Sequence, residues 1–160
     1  MIVYYSGTGN SKYAAKMLAD ILDDEVVDAK NYIRDGIAAE LISGKPFVFV
    51  SPVYVSAPSQ VFEDFIKSGS FEGDKKARFV MTCAGGMGAC GYYCEKLCRG
   101  KLEYMGTAQV EMPQNYLMFF KTKEMAENLK KLTAAEPRIR ELGELIAAEK
   151  PFPDSGMKKW

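Results

Sequence analysis

The sequence predicts one α/β domain of the doubly wound class, a five-stranded parallel sheet with helices on both faces. Three observations lead there. Short apolar runs bounded by turn residues recur along the chain, stretches of helical periodicity lie between them, and the first run opens into a helix through a loop of glycines and small hydroxyl residues. Strand alternating with helix about five times implies parallel pairing through right-handed crossovers. At 160 residues and 48% hydrophobic composition, residues 1–160 form a single domain around one core.

The runs Ile2 to Tyr5, Phe47 to Val50 and Phe79 to Met81 are almost continuously apolar, as strands covered on both faces are. Val26 to Val27 is short and flanked by acids, and Ala108 to Met112 alternates apolar with polar; both suit sheet edges. After the first run, Tyr13, Ala14, Met17, Leu18, Ile21 and Leu22 recur at helical spacing. Ile33 to Ile42 reads as a helix interrupted by Gly36. Pro58 stands at the start of another, carried by Val61, Phe62, Phe65 and Ile66. A further helix runs from Gly88 to Arg99 and stops at Gly100. The last spans Thr122 to Glu149, with Leu129, Leu132, Ile139, Leu142, Leu145 and Ile146 at helical intervals, and Pro137 should kink or divide it.

Twenty-one basic and 21 acidic residues cancel. No cationic footprint is left for nucleic acid or an anionic membrane, so neither is an expected partner. No apolar run has the length of a membrane span or the layout of a signal peptide, and a cytoplasmic location is expected. The four cysteines, Cys83, Cys90, Cys94 and Cys98, crowd into one stretch instead of tying distant segments together, which predicts reduced thiols. Cys90, Cys94 and Cys98 share a helical face, but the outer two stand about 12 Å apart along the axis, too far for one metal site. Neighbouring pairs are also too distant for an unstrained disulfide. Small apolar side chains facing the sheet is the expectation for these three. Histidine is absent. Without the commonest general base, redox or group-transfer chemistry would belong to a cofactor.

In an open α/β sheet the ligand sits outside the carboxyl ends of the strands, where the strand order reverses. The loop after the first strand reads Ser6-Gly7-Thr8-Gly9-Asn10-Ser11 and opens directly into a helix. Its glycines let backbone amides converge, and its hydroxyls add donors where a helix N-terminus already favours an anion. A phosphate would be held there by neutral donors. A Walker loop is excluded by the position of Lys12. A dinucleotide site, with Asp28 near the end of the second strand, and a turn that is merely tight and polar both stay open.

The segment from Tyr5 to Ser11 resembles the phosphate loop of flavodoxins. Together with Ser51-Pro52-Val53-Tyr54, Thr82-Cys83-Ala84-Gly85-Gly86 and Met112-Pro113-Gln114-Asn115-Tyr116, it is similar to the flavodoxin half of the EFR1 family, whose members fuse flavodoxin and ferredoxin modules. The resemblance covers roughly residues 1 to 120. It implies a flavodoxin-like strand order of 2-1-3-4-5 and an FMN cofactor whose phosphate rests on Ser6, Gly7, Thr8, Gly9, Asn10 and Ser11. Pro52, Val53, Tyr54, Val55 and Ser56 are implied on one side of the flavin ring, with Tyr54 as the stacking partner. Thr82, Cys83, Ala84, Gly85, Gly86 and Gly88 are implied at its polar edge, and Asn115 and Tyr116 beside it.

Two departures from the family pattern bear on function. No cysteine follows Cys98, so a free-standing flavodoxin half without ferredoxin clusters is expected. The loop Tyr54-Val55-Ser56-Ala57 has no glycine, whereas flavodoxins often place one there to let a peptide turn toward the flavin during one-electron reduction. A residue with a Cβ meets a cost of about 1–2 kcal/mol at positive φ. The leading expectation is an electron carrier serving a redox partner protein or a small-molecule acceptor. An FMN-dependent NAD(P)H or quinone reductase is the enzyme alternative, and a non-catalytic binding module on the same fold is the third.

Overall fold

The apolar runs form strands in the computed structural model, which describes residues 1–113 and 124–153. In chain order the strands are β1 (Ile2–Tyr4), β2 (Val26–Asp28), β3 (Glu40–Ser43), β4 (Phe47–Tyr54), β5 (Ala57–Pro58), β6 (Ser70–Gly73), β7 (Lys76–Cys83) and β8 (Glu103–Glu111). The helices are α1 (Asn10–Leu22), α2 (Ala29–Asp35), α3 (Gln60–Ser68), α4 (Cys90–Cys98) and α5 (Glu124–Ala147). Five strands pair in parallel in the order β2-β1-β4-β7-β8. Numbered among themselves these five follow 2-1-3-4-5, with the acid-flanked and the alternating strands at the edges as their composition requires.

Alternation across the pleat divides the core in two. Phe47, Phe49 and Phe79 pack with Phe62, Phe65 and Phe71 and with Cys90, Cys94 and Leu97. Val48, Val50 and Val80 pack with Ala14, Ala15 and Leu18 of α1 and with Ile139 and Leu142 of α5. Phe49 lies at the centre of the first cluster, stacked on Phe79 and edge-on to Phe71, with both ring centroids 5.2 Å away. Burial on both faces explains why the central strands carry no polar alternation.

The structure corrects the sequence reading in three places. The segment from Ile33 to Ile42 is not one helix: Asp28 caps α2 by accepting from Lys30 N, and Gly36, left-handed, ends it. Residues 40–43 then form β3, which pairs in parallel with β6 as a separate two-stranded sheet. The main sheet also gains a sixth strand, because β5 folds back antiparallel on β4. Finally, α5 continues through Pro137 undivided. Proline removes one backbone donor there, and the burial of Ala135, Ile139, Leu142 and Ile146 against the sheet holds the helix together across the gap.

Cations from neighbouring loops close helix C-termini. Lys101 Nζ donates to the carbonyls of Ile66, Lys67 and Gly69 at 2.9, 2.9 and 3.0 Å, at the end of α3. Lys45 Nζ donates to Leu22 and Asp23 O at 3.1 and 2.7 Å, at the end of α1. Arg78, wholly buried in β7, sends Nε and Nη2 to Lys150 O just past α5, at 3.1 and 2.8 Å. Lys101 and Lys45 place positive charge where the carbonyl ends of a helix dipole are unsatisfied, whereas Arg78 ties down the chain that leaves α5. Replacing Lys101 by Met should cost about 1–3 kcal/mol, because the part-buried carbonyls of Ile66 and Gly69 lose a charged donor. Urea denaturation is expected to show a lower midpoint with an unchanged slope; an unchanged midpoint would show that water replaces the ammonium without loss.

Candidate functional site

At the end of β1 the backbone stays tied to the sheet for one more residue, Tyr5 N donating to Val50 O at 2.9 Å. Ser6, buried, then accepts from Gly9 N at 3.0 Å through its hydroxyl, which curls the loop into a tight turn. Gly9 precedes α1 with φ 106, a conformation that a side chain would strain, and no side chain caps the helix. No acidic residue stands in its first turn. Among the described residues no N-cap side chain takes up the N–H groups that open α1, and groups of that kind favour an anion.

Each neighbouring strand adds a wall. Ser11 and Thr82, both buried, share a hydrogen bond of 2.8 Å between their hydroxyls, joining α1 to the end of β7. Asn10 Nδ2 donates to Pro113 O at 2.8 Å, just beyond β8. Tyr54, half exposed, leans over the loop, so that a Cβ on Gly7 would stand 3.4 Å from its hydroxyl oxygen. Between β4 and β5, Val55 and Ser56 turn the chain with φ of 50° and 63°. Two left-handed residues make the turn that a two-residue hairpin needs, a position normally filled by Asn and Gly. Ser56 seats against Gly88, where any Cβ would collide with the serine side chain.

These elements enclose a cleft of about 420 Å³ lined by Ser6, Gly7, Thr8, Asn10, Ser11, Pro52, Val53, Tyr54, Val55, Thr82, Cys83, Ala84 and Pro113. Among the described residues no lysine, arginine, aspartate or glutamate lines the cleft. Burial raises the Cys83 pKa, with Glu111 reinforcing the shift, so the thiol is neutral. Its Sγ donates to Gly85 O at 3.3 Å. Of the residues singled out in the sequence, Gly9, Ser56, Gly85, Gly86 and Gly88 do not line the cleft; Gly9 precedes the helix, and Ser56 and Gly88 pack together behind the hairpin turn. Asn115 and Tyr116 lie outside the described residues. Pro113 is the lining residue that sequence reasoning passed over, although it sits inside the fourth motif.

Cys90, Cys94 and Cys98 are buried between α4 and the sheet. All four thiols are free. Burial pushes Cys90 and Cys98 up to about 12 and Cys94 well above the ordinary thiol range. Among the described residues no cluster of three or more potential ligands is arranged to hold a metal, and no helix is long and apolar enough to cross a membrane.

Three solved structures superpose on the chain over most of their length. A protein of Bacteroides eggerthii DSM 20697 assigned as a flavoprotein aligns with a TM-score of 0.55 at 15% identity, over 91% of this chain and 96% of its own. A WrbA-like flavodoxin of Agrobacterium tumefaciens gives 0.52 at 15%, over 91% and 96%. The fold is flavodoxin-like. A flavoprotein of Lactobacillus acidophilus NCFM, solved in complex with FMN, gives 0.51 at 18%, over 80% and 96%. No family model matches the chain, and no curated protein does. At these identities the flavodoxin-like likeness extends to the fold alone.

Two measurements probe the site without a ligand. Val55, 99% exposed, has no packing to lose; Val55→Asn should therefore raise stability by about 1 kcal/mol, since Asn accepts left-handed φ more readily. No gain in the denaturation midpoint would show that valine is unstrained there. Under native conditions a thiol reagent should modify Cys83 alone, and because its pKa is raised the rate should still be climbing above pH 9. Labelling of all four thiols would contradict the packing of α4.

Proposed function

We propose that this protein binds FMN in the cleft and acts as an electron carrier. The observation that carries this reading is an uncharged cleft at the point where strand order reverses, floored by an uncapped helix N-terminus behind a two-glycine loop. FMN fits that donor set. Its phosphate would be held by the backbone amides of Gly7, Thr8, Asn10 and Ser11 and by the Thr8 hydroxyl, on the positive end of α1. Pro52, Val53, Tyr54, Ala84 and Pro113 offer apolar and aromatic surface for a flat ring, which they would orient and shield from water. When bound, the flavin supplies one- and two-electron transfer, and the protein supplies binding, orientation and electrostatics.

The hairpin turn bears on the one-electron step that a carrier needs. Absence of glycine in Tyr54-Val55-Ser56-Ala57 set a steric cost against a backbone rearrangement beside the ring. Val55 and Ser56 already stand at positive φ, so that cost belongs to the folded protein before any electron arrives. The acceptor would be a redox partner protein or a small molecule that reaches Tyr54 and Cys83 at the mouth of the cleft. Four free cysteines suit a reducing, cytoplasmic setting. Kinship with the flavodoxin half of the EFR1 family is part of the same proposal and rests on the four sequence motifs.

The purified protein mixed with FMN should show the visible absorption of bound flavin, and it should bind FMN more than tenfold more tightly than riboflavin, because charge-assisted hydrogen bonds contribute about 1.5–3 kcal/mol each. Equal affinities would sink the assignment of the phosphate loop. Thr8→Ala should weaken FMN and spare riboflavin. Tyr54→Ala should weaken both, by roughly 0.5–1.5 kcal/mol beyond lost contact area. Steady-state oxidation of NAD(P)H by the FMN-loaded protein would replace the carrier with the reductase.

A further inference from the structure

Asn10 belongs by sequence to the phosphate loop, yet its carboxamide is committed elsewhere. Nδ2 donates to Pro113 O at 2.8 Å, across 103 residues of chain. Both residues line the same cleft. Pro113 comes directly after Met112, whose N–H donates to Cys83 O at 2.8 Å just past β8. Pro113 has no N–H to donate, so its backbone is held through its carbonyl. The bond from Asn10 ties that carbonyl to the start of α1. Its neighbour Ser11 is engaged in the same way, hydroxyl to hydroxyl with Thr82 at 2.8 Å. Two successive polar side chains at the start of α1 thus reach outward to the two strands beyond β4.

We infer that Asn10 is a positioning residue: its carboxamide fixes Pro113 as the β8-side wall of the flavin cleft, instead of holding the phosphate. The inference rests on the proposed function for its ligand but not for its geometry. A wall contributes to the binding of any flavin, whereas a phosphate donor contributes to FMN alone. Asn10→Ala is therefore expected to weaken FMN and riboflavin by the same factor, about 3- to 10-fold for one neutral hydrogen bond, with the ratio of the two affinities unchanged.

Asn10→Asp supplies a readout that a general folding defect would not give. The carboxylate has no donor for Pro113 O, but the protonated acid does and is close to the amide in shape. Riboflavin carries no phosphate to titrate. Its affinity for Asn10→Asp should rise toward the wild-type value as pH falls through the carboxyl range, near about 4, while the wild type stays flat over the interval in which both remain folded by circular dichroism. In the flavin-free protein, Asn10→Ala should speed hydrogen exchange at the Met112 amide and leave Val48, in the centre of the sheet, protected.

Loss of FMN affinity with riboflavin unaffected would overturn the inference and make Asn10 a phosphate ligand. Unchanged affinity for both flavins would overturn it as well. If the wild type binds neither flavin, the proposed function falls; the tether is then decided by the exchange of Met112, where faster exchange in Asn10→Ala upholds it and unchanged exchange refutes it.

Discussion

Phe49 on one face of β4 and Val50 on the other are both withdrawn from water, and β1 and β7 repeat the arrangement. A parallel sheet sandwiched in this way leaves no polar side chain along its central strands free to meet a ligand. Arg78 is the one ionisable residue in its middle, and it is consumed in holding Lys150 O. Chemistry is driven to the strand ends, and at the carboxyl ends the loops must turn sharply into the next element. Glycine, serine and threonine are the residues that make such turns, and they are also the residues that bring backbone amides and hydroxyls to bear on an anion. The covering of both faces therefore determines where the cleft lies and much of what lines it.

Helix ends carry the second layer of organisation. The C-termini of α1 and α3 receive Lys45 and Lys101, and Arg78 holds Lys150 O in the chain that follows α5. Among the described residues the N-terminus of α1 has no N-cap side-chain bond, since its N-cap is Gly9. Among the described residues no lysine or arginine lines the cleft, so the electrostatic character of the site comes from oriented dipoles, with Lys12 exposed in the first turn of α1 outside the lining. A phosphate held above this helix N-terminus, as proposed, would be bound by geometry in place of charge.

Much of this was legible in the sequence because it depends on local pattern. Continuous apolar runs gave the central strands, alternation gave β8 as an edge, and the spacing of Val61, Phe62, Phe65 and Ile66 gave α3. The phosphate-loop-like turn was legible because glycines and hydroxyls have a stereochemical reason to be there. What escaped depends on contacts far apart in the chain. β3 has too few residues to show a period and is stabilised by pairing with β6. Continuity of α5 through Pro137 comes from its packing on the sheet, which overrides the local preference. Pro113 and the partner of Asn10 were invisible for the same reason, since nothing near either residue indicates the other.

Ser56 and Gly88 meet so closely that any side-chain atom added at position 88 would overlap the serine. The two positions lie in different loops, one after β4 and one before α4, yet they share a single volume. Growth at one must be matched by shrinkage at the other, and position 88 has nothing left to give up. Drift at position 56 is thereby confined to side chains no larger than serine, unless the hairpin lifts away from α4. Across descendants of this sequence the pair should vary together or not at all, and the left-handed turn at Val55 should be inherited with it, because moving that turn would undo the fit.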